Sequence, residues 1–256
     1  MRKNGLASRL SIGFCILLLA AVFTNIGFAQ DEEVPQQLLS YNFFQVKPGM
    51  ALEFEEFVKN SIPALKETGV TEMTVLRTAN FGMSGKYLFS FPLEDPAVMD
   101  AELSAPQSNV PVGIIPMMSA LERMVVSIHT FMLIPQPDLN IPPAEDYEWK
   151  LIAKITMGTA PGRREDFIKG FKPIVDAIGK TNVKGVLIGQ VGFGGNLDEY
   201  ITYVLYDSFT EMTNNDPVIQ KELAAIDLTP LNGVVYYRDS EVMVRIPELC
   251  IEPTVQ

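Results

Sequence analysis

Histidine is almost absent from this 256-residue chain, with His129 the sole example, and cysteine occurs only as Cys15 and Cys250. One histidine and one remote cysteine cannot build a typical zinc or copper site, and no carboxylate cluster has calcium-loop spacing, so no metal is expected. The familiar nucleophilic signatures are missing too: there is neither a G-x-S-x-G elbow nor a Cys-His pair. Positive charge is scarce, with 20 Lys and Arg against 31 Asp and Glu and a net charge of -11. That balance keeps a protein soluble and argues against nucleic acid or anionic membrane surfaces as partners. Beyond the first 29 residues no apolar run approaches the ~20 residues that a membrane-spanning helix needs.

What is present begins with a leader. Arg2, Lys3 and Arg9 precede an almost wholly apolar run from Ile12 to Phe23, and Gly27-Phe28-Ala29 places small residues three and one before a cut. These are the three regions of a secretory signal, expected to span residues 1–29 and to be cleaved after Ala29. An uncleaved anchor is the competing reading, but the run is short for a span. Cys15 is no lipoprotein cysteine, because it lies inside the apolar run and follows the bulky Phe14. The mature chain would be periplasmic or secreted, with a net charge of -14 once the three leader cations are gone. Cys250 alone then remains, which excludes an intrachain disulfide in an oxidising compartment. Stability must come from packing, and about 227 residues are enough to bury a sizeable core.

The stretch VKPGMALEFEEFV, residues 46–58, has a counterpart in TAPGRREDFIKGF, residues 159–171, where Pro-Gly again precedes a phenylalanine by the same spacing. A shift of 113 aligns Pro48 to Met99 with Pro161 to Met212 without a gap and gives ten identities in 52 positions. Ordinary amino-acid usage gives roughly three by chance. The copies also end alike, FMLIPQPDL against VMVRIPEL, at a shift of 112, and a Pro-rich linker over 136–145 is expected between them. A period this long is a duplicated domain and not a solenoid.

Each copy has the same order of elements. LLSYNFFQV and KLIAKITMG alternate like strands, and Pro-Gly then opens a helix with apolar residues at helical spacing, Phe54, Phe57, Val58, Ile62 and Leu65 in one copy, Phe167, Phe171, Ile174, Val175 and Ile178 in the other. EMTVLRTA with KYLFSF, and GVLIGQVG with YITYVLY, read as hairpins. A poorer helical region follows, broken in the first copy by Pro106, Pro111 and Pro116, before the last strands RMVVSIHTFML and GVVYYRDSEVMV. The fold class is α+β, two ferredoxin-like βαββαβ repeats over 34–135 and 146–250. GQVGFGG, residues 189–195, has the glycines of a phosphate loop but precedes a strand, so it is expected to be a hairpin turn.

A strand, then x-Pro-Gly, then a helix carrying Phe five residues past the Gly resembles the dimeric α+β barrel superfamily, which includes antibiotic-biosynthesis-type monooxygenases and stress-responsive barrel proteins. The resemblance covers nearly all of the mature chain and implies fold far more than activity. Independently of the resemblance, the helices of one unit cover only one face of its sheet, so the other face, with Phe43, Val75 and Phe89 on it, needs a cover, and the second copy is expected to supply it with the two sheets face to face. Two-domain relatives that bind haem use a histidine ligand, for which His129 is the only candidate; the cofactor is otherwise unknown.

A site would lie between the sheets. Strand alternation puts Met124, Val126, Ile128 and Met132 toward helices and Ser127, His129 and Phe131 inward; it puts Ile152, Lys154 and Thr156 inward as well. Tyr41, Phe43, Arg77 and its counterpart Gln190 join the inward set, and Glu241 takes the place that His129 has in the first copy. Two readings follow. One is an exported small-molecule-binding or scaffold protein, with Tyr41, Arg77, Lys154 and Gln190 as ligand contacts. The other is a cofactor-free oxygenase or isomerase in which His129 and Glu241 serve as acid and base and Arg77 or Lys154 steadies an enolate. The expected partners are a small-molecule ligand and a second copy through an outer surface, with no nucleic acid and no membrane after signal cleavage.

Overall fold

The computed structural model describes residues 38–67, 70–79, 85–93, 114–144 and 147–253. The leader with Cys15, residues 80–84 of the first hairpin turn, and the stretch holding Pro106 and Pro111 lie outside the described residues. The first repeat comprises β1 (Leu38–Val46), α1 (Ala51–Glu67), β2 (Thr74–Thr78), β3 (Gly85–Leu93), α2 (Ile114–Met124) and β4 (Val125–Pro135). The second comprises β5 (Leu151–Thr159), α3 (Arg164–Ile178), β6 (Gly185–Phe193), β7 (Glu199–Tyr206), α4 (Phe209–Leu223) and β8 (Val235–Arg245). The order βαββαβ is thus present twice. Residues 194–198 join two paired strands, β6 and β7, so the expectation for the glycine-rich stretch is corrected: residues 189–193 are the end of β6, and only Gly194 and Gly195 enter the hairpin turn.

The repeated Pro-Gly has one physical role in both copies. Gly49 and Gly162 have φ of 83° and 75°, the conformation a type II turn requires after proline. The Met50 N–H donates to the Lys47 carbonyl at 3.1 Å and the Arg163 N–H to the Ala160 carbonyl at 3.0 Å. The first helical bonds follow at once, from the Phe54 N–H to Met50 and the Phe167 N–H to Arg163, both at 2.9 Å. This register drops Phe54 against Tyr87, ring centroids 4.8 Å apart, and Phe167 against Tyr200 at 4.1 Å. All four aromatics are fully buried. Burying each phenylalanine contributes about 2–3 kcal/mol, so the turn sets the helix where its anchor fits.

The chain forms two compact units. One contains residues up to Thr130 together with the segment from Ile246; the other is Phe131–Arg245. In the first, the antiparallel order is β1-β3-β2, and α1 covers the face that carries Phe44, Val46, Val75, Tyr87, Phe89 and Phe91. The Lys47 ammonium donates to the carbonyls of Glu122 and Arg123 at 3.0 and 2.6 Å, a cation at the C-terminal end of α2. In the second unit the order is β8-β5-β7-β6, followed by the end of β4, and α3 and α4 pack on the face bearing Leu151, Met157, Val186, Ile188, Tyr200 and Val204. Ser208 caps α4 by accepting from the Glu211 N–H at 3.2 Å, and the Glu211 carboxylate accepts from the Asp207 N–H at 2.6 Å, close to a capping box.

The compact units do not coincide with the sequence repeats, because the end of each repeat belongs to the other unit. After β4, Pro137–Leu139 forms a 3-10 turn whose Leu139 enters the second core, and Ile141 bridges to Val186. After β8, Pro247–Leu249 forms the same turn, Leu249 enters the first core, and Ile251 bridges to Met73. Half of the Pro-rich stretch between the repeats is therefore docked and not a plain tether. The correspondence also corrects the alignment of the last strands: β4 begins at Val125 and β8 at Val235, 110 positions apart rather than 112. Proline and isoleucine recur too often here for identity alone to fix the register.

Candidate functional site

On the helix-free face of the second sheet one row of side chains departs from the apolar pattern. Backbone register places Lys154 on β5 between Glu241 on β8 and Tyr203 on β7, and Tyr203 opposite Leu187 on β6. The Lys154 ammonium lies 2.7 Å from a Glu241 carboxylate oxygen, with the two side chains only 11% and 17% exposed. The next row along is Met243, Ile152 and Leu205, all buried. Beyond Lys154 in the other direction Thr156 faces Ile201 and Asp239. An ammonium, a carboxylate and a phenol thus share one wall of hydrocarbon.

The first repeat lacks this set. Tyr41 occupies the position of Lys154 and pairs with Ser90, the counterpart of Tyr203. With the last strands aligned at 110, Glu241 corresponds to Phe131, and His129 corresponds to Asp239. The hydrogen bond from Thr130 to Asn42, 2.6 Å, fits this register, since Ser240 lies opposite Ile155 in the other copy. The expectation that Glu241 takes the place of His129 is therefore corrected.

Arg77 and Gln190 are not with this set. Arg77 lies on the helix-bearing face with Val75, and its guanidinium donates to Glu55 of α1 at 2.7 Å. The Tyr87 hydroxyl donates to the same Glu55 oxygen at 2.6 Å. Burial, and then the Glu55 carboxylate that accepts its proton, push the Tyr87 phenol well above its usual range. Gln190 has the same strand parity as Val186 and Ile188, which face α3 and α4, and its amide donates to the Leu197 carbonyl at 2.9 Å. Val75 and Phe89 likewise pack against α1 instead of on the bare face, whereas Tyr41 is buried outside that cluster. The parity expected on β2 is corrected: Val75 and Arg77 share the helix-bearing row. A polar residue there ends the helix-facing row by reaching the carboxylate of α1.

His129 is exposed, as are Ser127 and Val126, while Val125 and Ile128 enter the first core. The expected alternation along β4 therefore holds for Ile128 but fails at Val126. His129 also belongs to the first unit, whereas Glu241 belongs to the second and is held by Lys154. An exposed imidazole on a strand does not fit a buried axial haem ligand, and the second unit contains no histidine at all. Among the described residues no group of three His, Cys, Asp or Glu side chains converges on one point. Sequence reasoning missed Tyr203 and the Glu55–Tyr87 contact. Tyr203 could have been found by asking which β7 residue lies opposite Lys154, a matter of hairpin register that residue types alone leave open.

No family model matches the chain, and no curated protein matches it. Solved structures do. A putative monooxygenase from Fusobacterium nucleatum superposes with a TM-score of 0.58 at 10% identity over 83% of this chain and 94% of that one. An anthrone oxidase-like protein gives 0.57 at 10% identity over 83% and 92%. A mutant chlorite dismutase from Candidatus Nitrospira defluvii gives 0.52 at 9% identity over 82% and 92%. At such identities the likeness concerns fold and not chemistry. Two βαββαβ repeats, antiparallel sheets with helices on one face and these neighbours lead to one conclusion: the chain has the dimeric α+β barrel fold, with the βαββαβ unit present twice in a single polypeptide.

Proposed function

We propose that this is an exported small-molecule-binding protein whose ligand is held on the helix-free face of the second sheet by Lys154, Glu241 and Tyr203. The observation that carries this reading is the Lys154–Glu241 pair, shielded from solvent at 2.7 Å. Desolvating two charges is expensive, and an apolar pair of similar volume serves stability as well or better. The first repeat has Tyr41 and Phe131 at these positions, so the fold does not require charge there. An ammonium and a phenol beside Ile152, Met243 and Leu205 suit a ligand with an apolar or aromatic body and an acidic or hydrogen-bonding head. Enrichment of small molecules from a periplasmic extract, compared between wild type and Lys154→Met by mass spectrometry, tests the assignment. One species retained by wild type and lost in the variant is expected; equal retention, or none by either, leaves the protein as a scaffold.

A second reading, a cofactor-free oxygenase or isomerase, is favoured by the same contact. Glu241 would take a proton and Lys154 would steady the enolate oxygen, with no part for the exposed His129. The names of the oxygenase-like neighbours add no residue to this reading. Turnover of an enolisable ligand by wild type and its loss in Glu241→Gln would support it; binding without turnover would end it. Export is supported by Arg2, Lys3, Arg9, the apolar run and Gly27-Phe28-Ala29. A product beginning at or near Gln30 in a Gram-negative periplasm is expected, and Met1 on the released protein would refute it.

A further inference from the structure

Two segments of this chain are held in two equivalent grooves by equivalent bonds. In the second unit the Gln136 N–H donates to the Ile188 carbonyl at 2.8 Å, and Ile141 and Val186 exchange bonds of 2.7 and 2.8 Å. The Ile188 N–H is taken by the side chain of Asn140 at 2.6 Å. In the first unit the Ile246 N–H donates to the Val75 carbonyl at 3.0 Å, and Met73 and Ile251 exchange bonds of 2.9 and 2.8 Å. The Val75 N–H is taken by the side chain of Cys250 at 3.3 Å. Each segment makes one 3-10 turn against the first helix and second strand of the unit that receives it, and buries one leucine, Leu139 or Leu249, to 1% exposure.

The shared sequence is Pro-acidic-Leu-x-Ile, Pro137-Asp138-Leu139-Asn140-Ile141 in one and Pro247-Glu248-Leu249-Cys250-Ile251 in the other. Main-chain bonds to a strand supply affinity that depends little on sequence, and the pocketed leucine and the paired isoleucine supply selectivity, as in strand-addition recognition. Both grooves are formed by residues 113 positions apart, Met73 with Val186 and Val75 with Ile188, so they present the same main-chain donors and acceptors. We propose that the groove of the first unit beside β2 is a peptide-binding site selective for Pro-acidic-Leu-x-Ile, that residues 247–251 occupy it in cis, and that the same segment of a second copy of this chain can occupy it in trans. Attachment to β8 gives the cis segment a high effective concentration, so exchange is suppressed until the cis contact is weakened.

The test uses the full chain carrying Leu249→Ala, titrated with a fluorescent peptide of residues 245–253 and followed by anisotropy. Saturable binding to the variant is expected, at least about tenfold tighter than to wild type, where the groove is filled. An unlabelled peptide of residues 135–143 should compete, and one with its leucine replaced by aspartate should not. Absence of binding to a variant that melts cooperatively, or equal binding of the aspartate peptide, would overturn the proposal. Wild-type hydrogen exchange provides the second measurement should Leu249→Ala not fold: the Met73 and Val75 amides should exchange through a local opening faster than those of β7. Exchange of these amides only on global unfolding would show that the segment never leaves and would also overturn it.

Discussion

Replacing Lys154 by methionine removes the ammonium but keeps most of the side-chain volume, and leaves Glu241 as an unpaired carboxylate 17% exposed. Breaking a shielded pair from one side costs about 3–5 kcal/mol, because the remaining charge has lost its partner in a poorly solvated place. The residual exposure argues for the lower end, about 3 kcal/mol, since water can still reach part of the carboxylate. For a chain of this size that corresponds to a melting temperature lower by roughly 6–12 °C. Lys154→Met with Glu241→Leu should recover most of the loss, and the double variant should match wild type or exceed it by about 1–4 kcal/mol. Urea unfolding of wild type, both single variants and the double variant gives the coupling energy directly. Single variants that each cost less than about 0.5 kcal/mol and add without coupling would show the pair to be effectively solvated. A solvated pair would carry no sign of a retained charged site.

Gly49→Ala and Gly162→Ala should each destabilise by about 1–2 kcal/mol, because a Cβ at φ of 83° or 75° is strained even where nothing lies within 4 Å of it; equal stability by urea titration would refute the turn assignment. Cys250→Ala leaves the Val75 N–H without its sulfur acceptor and should cost about 1–3 kcal/mol, whereas Cys250→Asn, copying the bond of Asn140 to Ile188, should cost less; identical unfolding midpoints would remove the role. Burial, with Asp216 and Glu211 adding to it, pushes the Tyr206 phenol up to about 12. A raised folded-state value means that the unfolded chain ionises first, so this contribution is full below about pH 10 and is lost as pH rises toward the folded value. Tyr206→Phe should therefore flatten the alkaline fall in stability, and an unchanged slope between those values would contradict the shift.

The architecture was legible because it depends on local signals that the duplication repeats. Pro-Gly fixes a type II turn, the phenylalanine five residues on fixes the helix face, and β1 and β5 fall 113 positions apart at equal length. The position of Lys154 on the helix-free face is legible because Leu151, Ala153 and Ile155 mark the opposite row without ambiguity. The position of Arg77 is not, because an arginine on a helix-facing row violates binary patterning unless a carboxylate waits on the helix, and Glu55 is invisible as a partner until the strand and helix are docked. The sequence aligns the last strands two positions away from their structural register, since their pairing follows the docking of Leu139 and Leu249 and not the run of prolines around them. The structural equivalent of Glu241 in the first repeat is therefore Phe131 and not His129.

Where the ligand sits can be read from difference electron density in crystals of protein purified directly from a periplasmic extract. A small molecule is expected on the helix-free face of the second sheet, with a polar atom within about 3.2 Å of the Lys154 ammonium or the Tyr203 hydroxyl. Density beside Arg77 and Glu55 under α1, or a wall at Lys154 and Glu241 closed by protein side chains with no molecule against it, would show that Lys154 and Glu241 hold no ligand.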